Sequence, residues 1–449
     1  MNSASPTAPP PLPSPSAARR AMPRRRRWAV LLAAVLPAVC GTLPAAAAAA
    51  PPGPSVTAPA PQQAPVMPQS VLDRIVAGGV PGVIALRRRG SEVRTATSGT
   101  SDRRTGDPIR AGDRLRIGSN TKTFVATVVL QLAGERRLRL TDTVERWLPG
   151  LVPNGSAITI RQLLHHTSGL YDYAGDPRLL APYATDRAHY WPPRGLVALA
   201  ASHPPLFPPG ASWSYSNTNY VLLGLVIEAV TGRRADAEVR ERVLRPLGLH
   251  RTTFPLRNPR LPHPHTRGYL TNLPVDTAPD GVLDSTVLSP SIAWTSGGMV
   301  STVGDLARFQ RALLTGRLLR PAQMRELTTV VPGSDYGTGI IRWDTSCGTA
   351  WGHDGAFPGY LSIALTSGDG ERQAVLALNT DRVLSEGTLA DVDTAVETLY
   401  CGSAGPGGRQ RPAHADGAGE PGERLRRFLP STAPGTPVVT AARATPQAP

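Results

Sequence analysis

Apolar and polar positions change their rhythm several times along this chain. An apolar run over residues 80–87 gives way to Arg88, Arg89 and Gly90, then to a half-alternating stretch over 92–97. Two strands joined by a tight turn are expected, because β-branched and alternating positions suit a pleated surface. Residues 115–118 read as a short extended approach to the next element. Over 121–133 the period becomes helical, with Phe124, Val128, Val129 and Leu132 on the apolar side and Gly134 beyond the end. A Thr-Ile-Arg step marks a helix start within 158–164. Further helices are predicted over 219–230, stopped by Thr231 and Gly232, over 235–244, and over 303–314 with Thr302 as cap. Strand character returns over 336–343, 360–366 and 373–379, the last two separated by a Ser-Gly-Asp-Gly turn. Residues 389–400 read as a last helix.

Early strands, a central helical block and late strands predict an α+β domain. Its antiparallel sheet is assembled from both ends of the domain and flanked by helices, with a mainly helical region (about 140–310) inserted between them. No internal repeat interrupts this order.

Composition sets the boundaries. The 449 residues are 41% hydrophobic and 18% charged, as suits a globular protein, but 47 prolines crowd toward the two ends. Residues 1–50 carry a basic cluster, an apolar run too short for an ordinary membrane span, and a small-residue stretch. They read as a signal peptide, and a secreted, extracellular protein that is cell-wall associated is the expectation. Residues 51–67 form a Pro/Ala linker, 68–402 the folded domain, and 403–449 a tail without periodicity that is expected to be disordered.

The formal charge of +15 sits largely outside the domain: six arginines lie in the presequence and a net +3 in the tail. No aromatic-interleaved basic stripe or recognition-helix signature accompanies it, so nucleic-acid binding is not expected. Removal of the presequence takes Cys40 with it. Cys347 and Cys401 are then an even pair in an oxidising compartment, and a disulfide between them is predicted.

The basic residues carry the strongest chemical signal. Of 48, only Lys122 is lysine; the other 47 are arginine. Arginine replaces lysine wherever only positive charge is needed, but guanidinium cannot give up a proton as an amine can. Lys122 follows Ser119 by three residues at the start of an apolar helix, so both side chains share a face. A serine becomes a useful nucleophile when a base stands beside it. The helix N-terminus further favours developing negative charge.

Ser119-Asn120-Thr121-Lys122 has the S-x-x-K form of acyl-transferring penicillin-recognising enzymes. Residues 117–131 resemble the nucleophile helix of the serine D-alanyl-D-alanine carboxypeptidase and class C β-lactamase family, with greatest similarity to actinomycete carboxypeptidases. Tyr215-Ser216-Asn217 resembles that family's Y-x-N element, and His353-Asp354-Gly355 its H-x-G or K-x-G element. The resemblance covers about 68–402, with the three motifs in order. It implies a β-lactamase/transpeptidase-like fold. Tyr215 would share protons with Lys122 and protonate the leaving group, and Asn217 would hold the substrate amide. His353 and Gly355 would form a substrate-binding wall on an edge strand, and the backbone N–H near Ala356 would join that of Ser119 in an oxyanion hole. Residues 163–170, containing His166, resemble a scaffold segment near the site. Trp294, with the Ser296-Gly297-Gly298-Met299 stretch, resembles another that frames the pocket.

Asp354 departs from the carboxypeptidase pattern, which commonly has threonine there to help bind a terminal carboxylate. An acid would repel that group unless a cation compensates, and Arg342 is the candidate. His165 with His166, and His263 with His265, lack any H-E-x-x-H or compact Cys/His set, so no metal and no other cofactor is expected. A G-x-S-x-G elbow and a Walker loop are likewise absent from the sequence.

These features predict a serine hydrolase acting through an acyl-enzyme. The expected activity is D-alanyl-D-alanine carboxypeptidase on peptidoglycan stem peptides, by a monomer without a stable membrane span and with β-lactams as covalent inhibitors. Esterase, D-amino-acid amidase or peptidase, and β-lactamase activity on small amide or ester substrates are alternatives on the same scaffold. An inactive wall-binding module is a third.

Overall fold

The computed structural model describes residues 69–270, 281–381 and 384–402. The predicted signal peptide, the linker and the tail from 403 lie outside the described residues.

The chain begins with α1 (Gln69–Ala77), then β1 (Gly82–Arg89), β2 (Glu92–Asp102) and the two-residue β3 (Asp107–Pro108). The central block holds α2 (Asn120–Gly134), which starts just after Ser119, then α3 (Ile160–Leu164), α4 (Asn217–Thr231) and α5 (Val303–Leu314), among shorter turns. β4 (Ile341–Thr345), β5 (Gly348–Phe357), β6 (Tyr360–Thr366), β7 (Arg372–Leu378) and α6 (Glu386–Cys401) complete it. The seven strands lie in the order β3-β2-β1-β7-β6-β5-β4. β1 pairs antiparallel with β7, Val83 opposite Leu378, so both ends of the domain share one sheet, as the pattern predicted.

Two cores explain the strand sequences. Val83 and Ala85 face α1 and α6, whereas Ile84 and Leu86 face the helical block. A strand buried on both faces reads as a continuous apolar run rather than an alternation. α2 is buried on nearly every side from Asn120 to Leu130, and its Phe124 stacks on Phe309 of α5 with centroids 3.6 Å apart. Caps fix two of the other helices: Thr159 and Gln162 form a capping box at α3, and Thr302 accepts from Asp305 N at α5.

β4 pairs with β5 only as far as Ile341 opposite Gly352. Beyond that point the β5 edge turns to the segment leading into α2. Leu115 and Arg116 pair with Ser301 and Val300 in a separate two-stranded ladder, and Ile117 N donates to Met299 O, which fixes that segment from the side away from β5. The predicted disulfide is present: Cys347, between β4 and β5, is bonded to Cys401 at the end of α6. Among the described residues no helix is long and apolar enough to cross a membrane.

Candidate active site

Ser119 stands at the N-cap of α2, yet its hydroxyl makes no cap hydrogen bond. Lys122 Nζ lies 3.0 Å from that hydroxyl instead. The lysine is fully buried and also donates to Asn217 Oδ1 at 2.7 Å and Ser296 O at 2.8 Å. Both acceptors lack protons, so they engage two N–H bonds of the amine. When Lys122 is neutral, its lone pair is left for the Ser119 O–H. Burial pushes the Lys122 ammonium down to about 7, against the opposing charges of Asp172 and Asp354. The amine therefore reaches its free-base form near neutral pH.

Tyr215 covers this pair from the turn before α4. Lys122 Nζ sits 4.7 Å from the centre of its ring. Burial raises the phenol well above its ordinary range, and a hydrogen bond with the Ser119 side chain opposes the rise. The phenol thus stays protonated beside an amine that readily does not. Such a cluster can supply a nucleophile, a base and a proton donor together.

The opposite wall is backbone. A side-chain carbon at Gly118, whose φ is +49°, would fall 2.4 Å from Ala356 O; one at Gly355 would fall 2.1 Å from Ile117 O and 2.9 Å from Ser119 N. Both positions allow β5 and the nucleophile turn to meet main chain to main chain. Asn120 Nδ2 donates to Ser362 Oγ, which donates to Ile117 O, tying the same turn to β6.

Other expected residues take different places. His353 is fully buried; Nδ1 donates to Asp354 O at 2.6 Å and Nε2 meets the Tyr336 hydroxyl at 3.1 Å. It supports the strand edge from within instead of forming the expected substrate-binding wall. Arg342 is on the sheet edge, but its guanidinium is held by Asp335 at 2.8 Å. Trp294 is 3% exposed and packs in the core, where a side chain at Gly224 would meet it, so it does not line a pocket. That segment's contribution is the Ser296 carbonyl on Lys122. His166 lies under Tyr215, with ring centres 4.3 Å apart. Asp354 is 6% exposed and lines a cavity of about 20 Å³ with Leu361, Leu384 and Val392, while its charge still reaches Lys122 and Tyr215.

Sequence reasoning missed Asp172. Its carboxylate accepts from Asn217 N at 3.1 Å, Asn217 Nδ2 at 2.9 Å and Ala174 N at 3.0 Å. It thereby orients Asn217 toward Lys122, and burial raises its own pKa. Nothing in the loop from Tyr171 to Tyr173 distinguished this acid from a solvated one. A separate cavity of about 600 Å³, lined by Arg136, Arg139 and Arg161, opens at the far end of α2 from Ser119.

The beta-lactamase family model matches residues 68–396, which spans all of these groups. The chain belongs to the beta-lactamase family. It is a serine hydrolase of the β-lactamase and penicillin-binding class. The D-stereospecific amidohydrolase of a Streptomyces species is 41% identical, with a TM-score of 0.67 over 75% of this chain and 98% of that one. The D-amino acid amidase of Ochrobactrum anthropi SV3 is 29% identical, with a TM-score of 0.66 over 74% and 97%. Penicillin-binding protein 4 of Amycolatopsis lactamdurans is 30% identical over 320 residues, 66% of this chain and 80% of that protein. The chain spans 62% of the length of a Bacillus subtilis penicillin-binding protein, 28% identical over 292 residues.

Proposed function

We propose that this protein is an exported D-stereospecific amidohydrolase. It cleaves an amide or ester whose acyl side is a D-amino acid and whose leaving side carries no carboxylate. In this reading the Lys122 amine takes the hydroxyl proton as Ser119 Oγ bonds to the carbonyl carbon. The backbone N–H groups of Ser119 and Ala356 receive the oxyanion. Tyr215 gives its proton to the leaving amine as the C–N bond breaks, and recovers one from Lys122. Water then attacks the acyl-enzyme, and Ser119 regains its proton.

The observation that carries the substrate preference is the charge at the third motif. An acid, Asp354, stands where a carboxylate-binding hydroxyl is usual in carboxypeptidases, and the compensating candidate, Arg342, is engaged by Asp335. An acid there, offset by Lys122 and not by Arg342, favours substrates without a terminal carboxylate. The similarity to a D-stereospecific amidohydrolase across nearly all of that chain supports the same choice.

Carboxypeptidase action on stem peptides is the second reading, favoured by the penicillin-binding relatives. Hydrolysis of a D-Ala-D-Ala peptide, its C-terminal amide and a short-chain ester separates the two. The amide and ester are expected to exceed the free acid in kcat/KM by about tenfold or more. Asp354→Thr should narrow that ratio. Preference of the wild type for the free acid would replace the first reading by the second.

A further inference from the structure

Tyr215 sits on a turn, not on a regular element, yet its phenol must stay within reach of Ser119 and Lys122. Its two chain neighbours are both bonded to one residue. Ser214 N donates to His166 O at 3.0 Å, and Ser216 N donates to His166 Nδ1 at 3.1 Å. The imidazole lies against the Tyr215 ring, tilted by 31° at 4.3 Å. We infer that His166 is the positioning residue of Tyr215, gripping the turn on either side of the phenol and backing its ring.

Three further observations fit this role. His166 has a φ of +60°, rare for a residue with a side chain, and such backbone persists where the surroundings hold it in place. Asn219 Nδ2 also donates to Nδ1, at 3.1 Å, and Ser168 Oγ fixes that amide by donating to Asn219 Oδ1 at 2.6 Å. Nδ1 therefore receives two N–H groups and must present its lone pair, which leaves the proton on Nε2. That buried nitrogen meets no oxygen or nitrogen partner among the described residues, and the Tyr336 ring stands edge-on with its centre 4.6 Å from the imidazole centre. Protonating Nδ1 would expel Ser216 N–H and loosen the turn.

The environment keeps the ring neutral. Lys122 approaches it from α2, His353 from the β5 edge and His165 from the preceding position, while Tyr215, Tyr220 and Tyr336 supply neutral walls. Burial, and after it the charge of Lys122, holds His166 well below its ordinary value. The grip is thus present across the pH range in which Lys122 works.

The inference rests on Tyr215 being the proton donor, so its test is a double-mutant cycle read on a D-amino acid amide, whose amine cannot leave without a proton. His166→Gly tolerates the positive φ but removes the acceptor and the ring; kcat should fall about 100-fold with KM within about threefold. His166→Asn, which also tolerates that backbone and offers Oδ1 as acceptor, should recover to within about tenfold of wild type. In a Tyr215→Phe background, His166→Gly should cost less than about twofold more. Wild-type kcat in His166→Gly, or its full loss repeated on top of Tyr215→Phe, would overturn the positioning role alone. Wild-type activity in Tyr215→Phe would overturn the role of Tyr215 as well. If His166→Gly does not fold, the same cycle is read with His166→Asn, whose smaller loss should likewise vanish in the Tyr215→Phe background.

Discussion

At the scale of single residues, the proposed chemistry turns on Lys122 because it is a cation that can stop being one. It is fully buried, and its contacts to two carbonyl acceptors leave the lone pair of the neutral amine for Ser119. Lys122→Arg keeps the charge but cannot release the proton, and should lower kcat by about 1,000-fold or more in steady-state hydrolysis. The pH profile of kcat/KM should rise through about 7, because the free-base form that accepts the Ser119 proton is the one that grows as pH increases. A profile flat from pH 5 to 9 would contradict that assignment. Ser119, Lys122 and Tyr215 were legible in the sequence because motif and residue choice reveal what a side chain is. They do not reveal where it points. His353, Trp294 and Arg342 were expected around a pocket, yet the strand and core packing bury the first two and Asp335 takes the third. Asp172 was invisible for the opposite reason, since only the fold brings its loop under Asn217.

At the scale of elements, the site is a junction between a helix start and a strand edge. Gly355→Ala places a methyl group 2.1 Å from Ile117 O and 2.9 Å from Ser119 N. The β5 edge and the nucleophile turn must then separate, and acylation by a β-lactam should slow about 100-fold while the protein remains folded. Stopped-flow acylation with circular dichroism checks both halves. Phe309→Ala removes half of a buried stack against α2 and should cost about 3–5 kcal/mol in urea unfolding. The helices from 121 and 303 announced themselves by periodicity and caps, and the structure extends the first only to Asn120–Gly134. β5 was harder to see. Gly348, Gly352 and Gly355 give it little strand propensity, so its pairing with β6 must hold it extended. Helix α1 and the helix Pro193–Ala201 were missed as well, since each is short and stabilised by what it packs against.

At the scale of the whole molecule, the sheet is closed by segments from opposite ends of the domain, and the helical block hangs between them. The sequence revealed this order because the character of its elements changes twice. The Cys347–Cys401 bond ties the β4–β5 turn to the last helix across 54 residues of sequence. Replacing both cysteines by serine should lower stability by about 4 kcal/mol in denaturant titration. It should leave kcat unchanged, because neither cysteine touches the Ser119 cluster. A loss of activity without a loss of stability would show that the bond shapes the site directly.

The account depends on Ser119 forming the covalent intermediate with Lys122 as its base. Peptide-mapping mass spectrometry after brief exposure to a fluorescent β-lactam measures this directly. The predicted result is a single acyl adduct on Ser119, absent in Ser119→Ala and strongly slowed in Lys122→Arg. An adduct on another residue, or one that persists unchanged in Ser119→Ala, would contradict it.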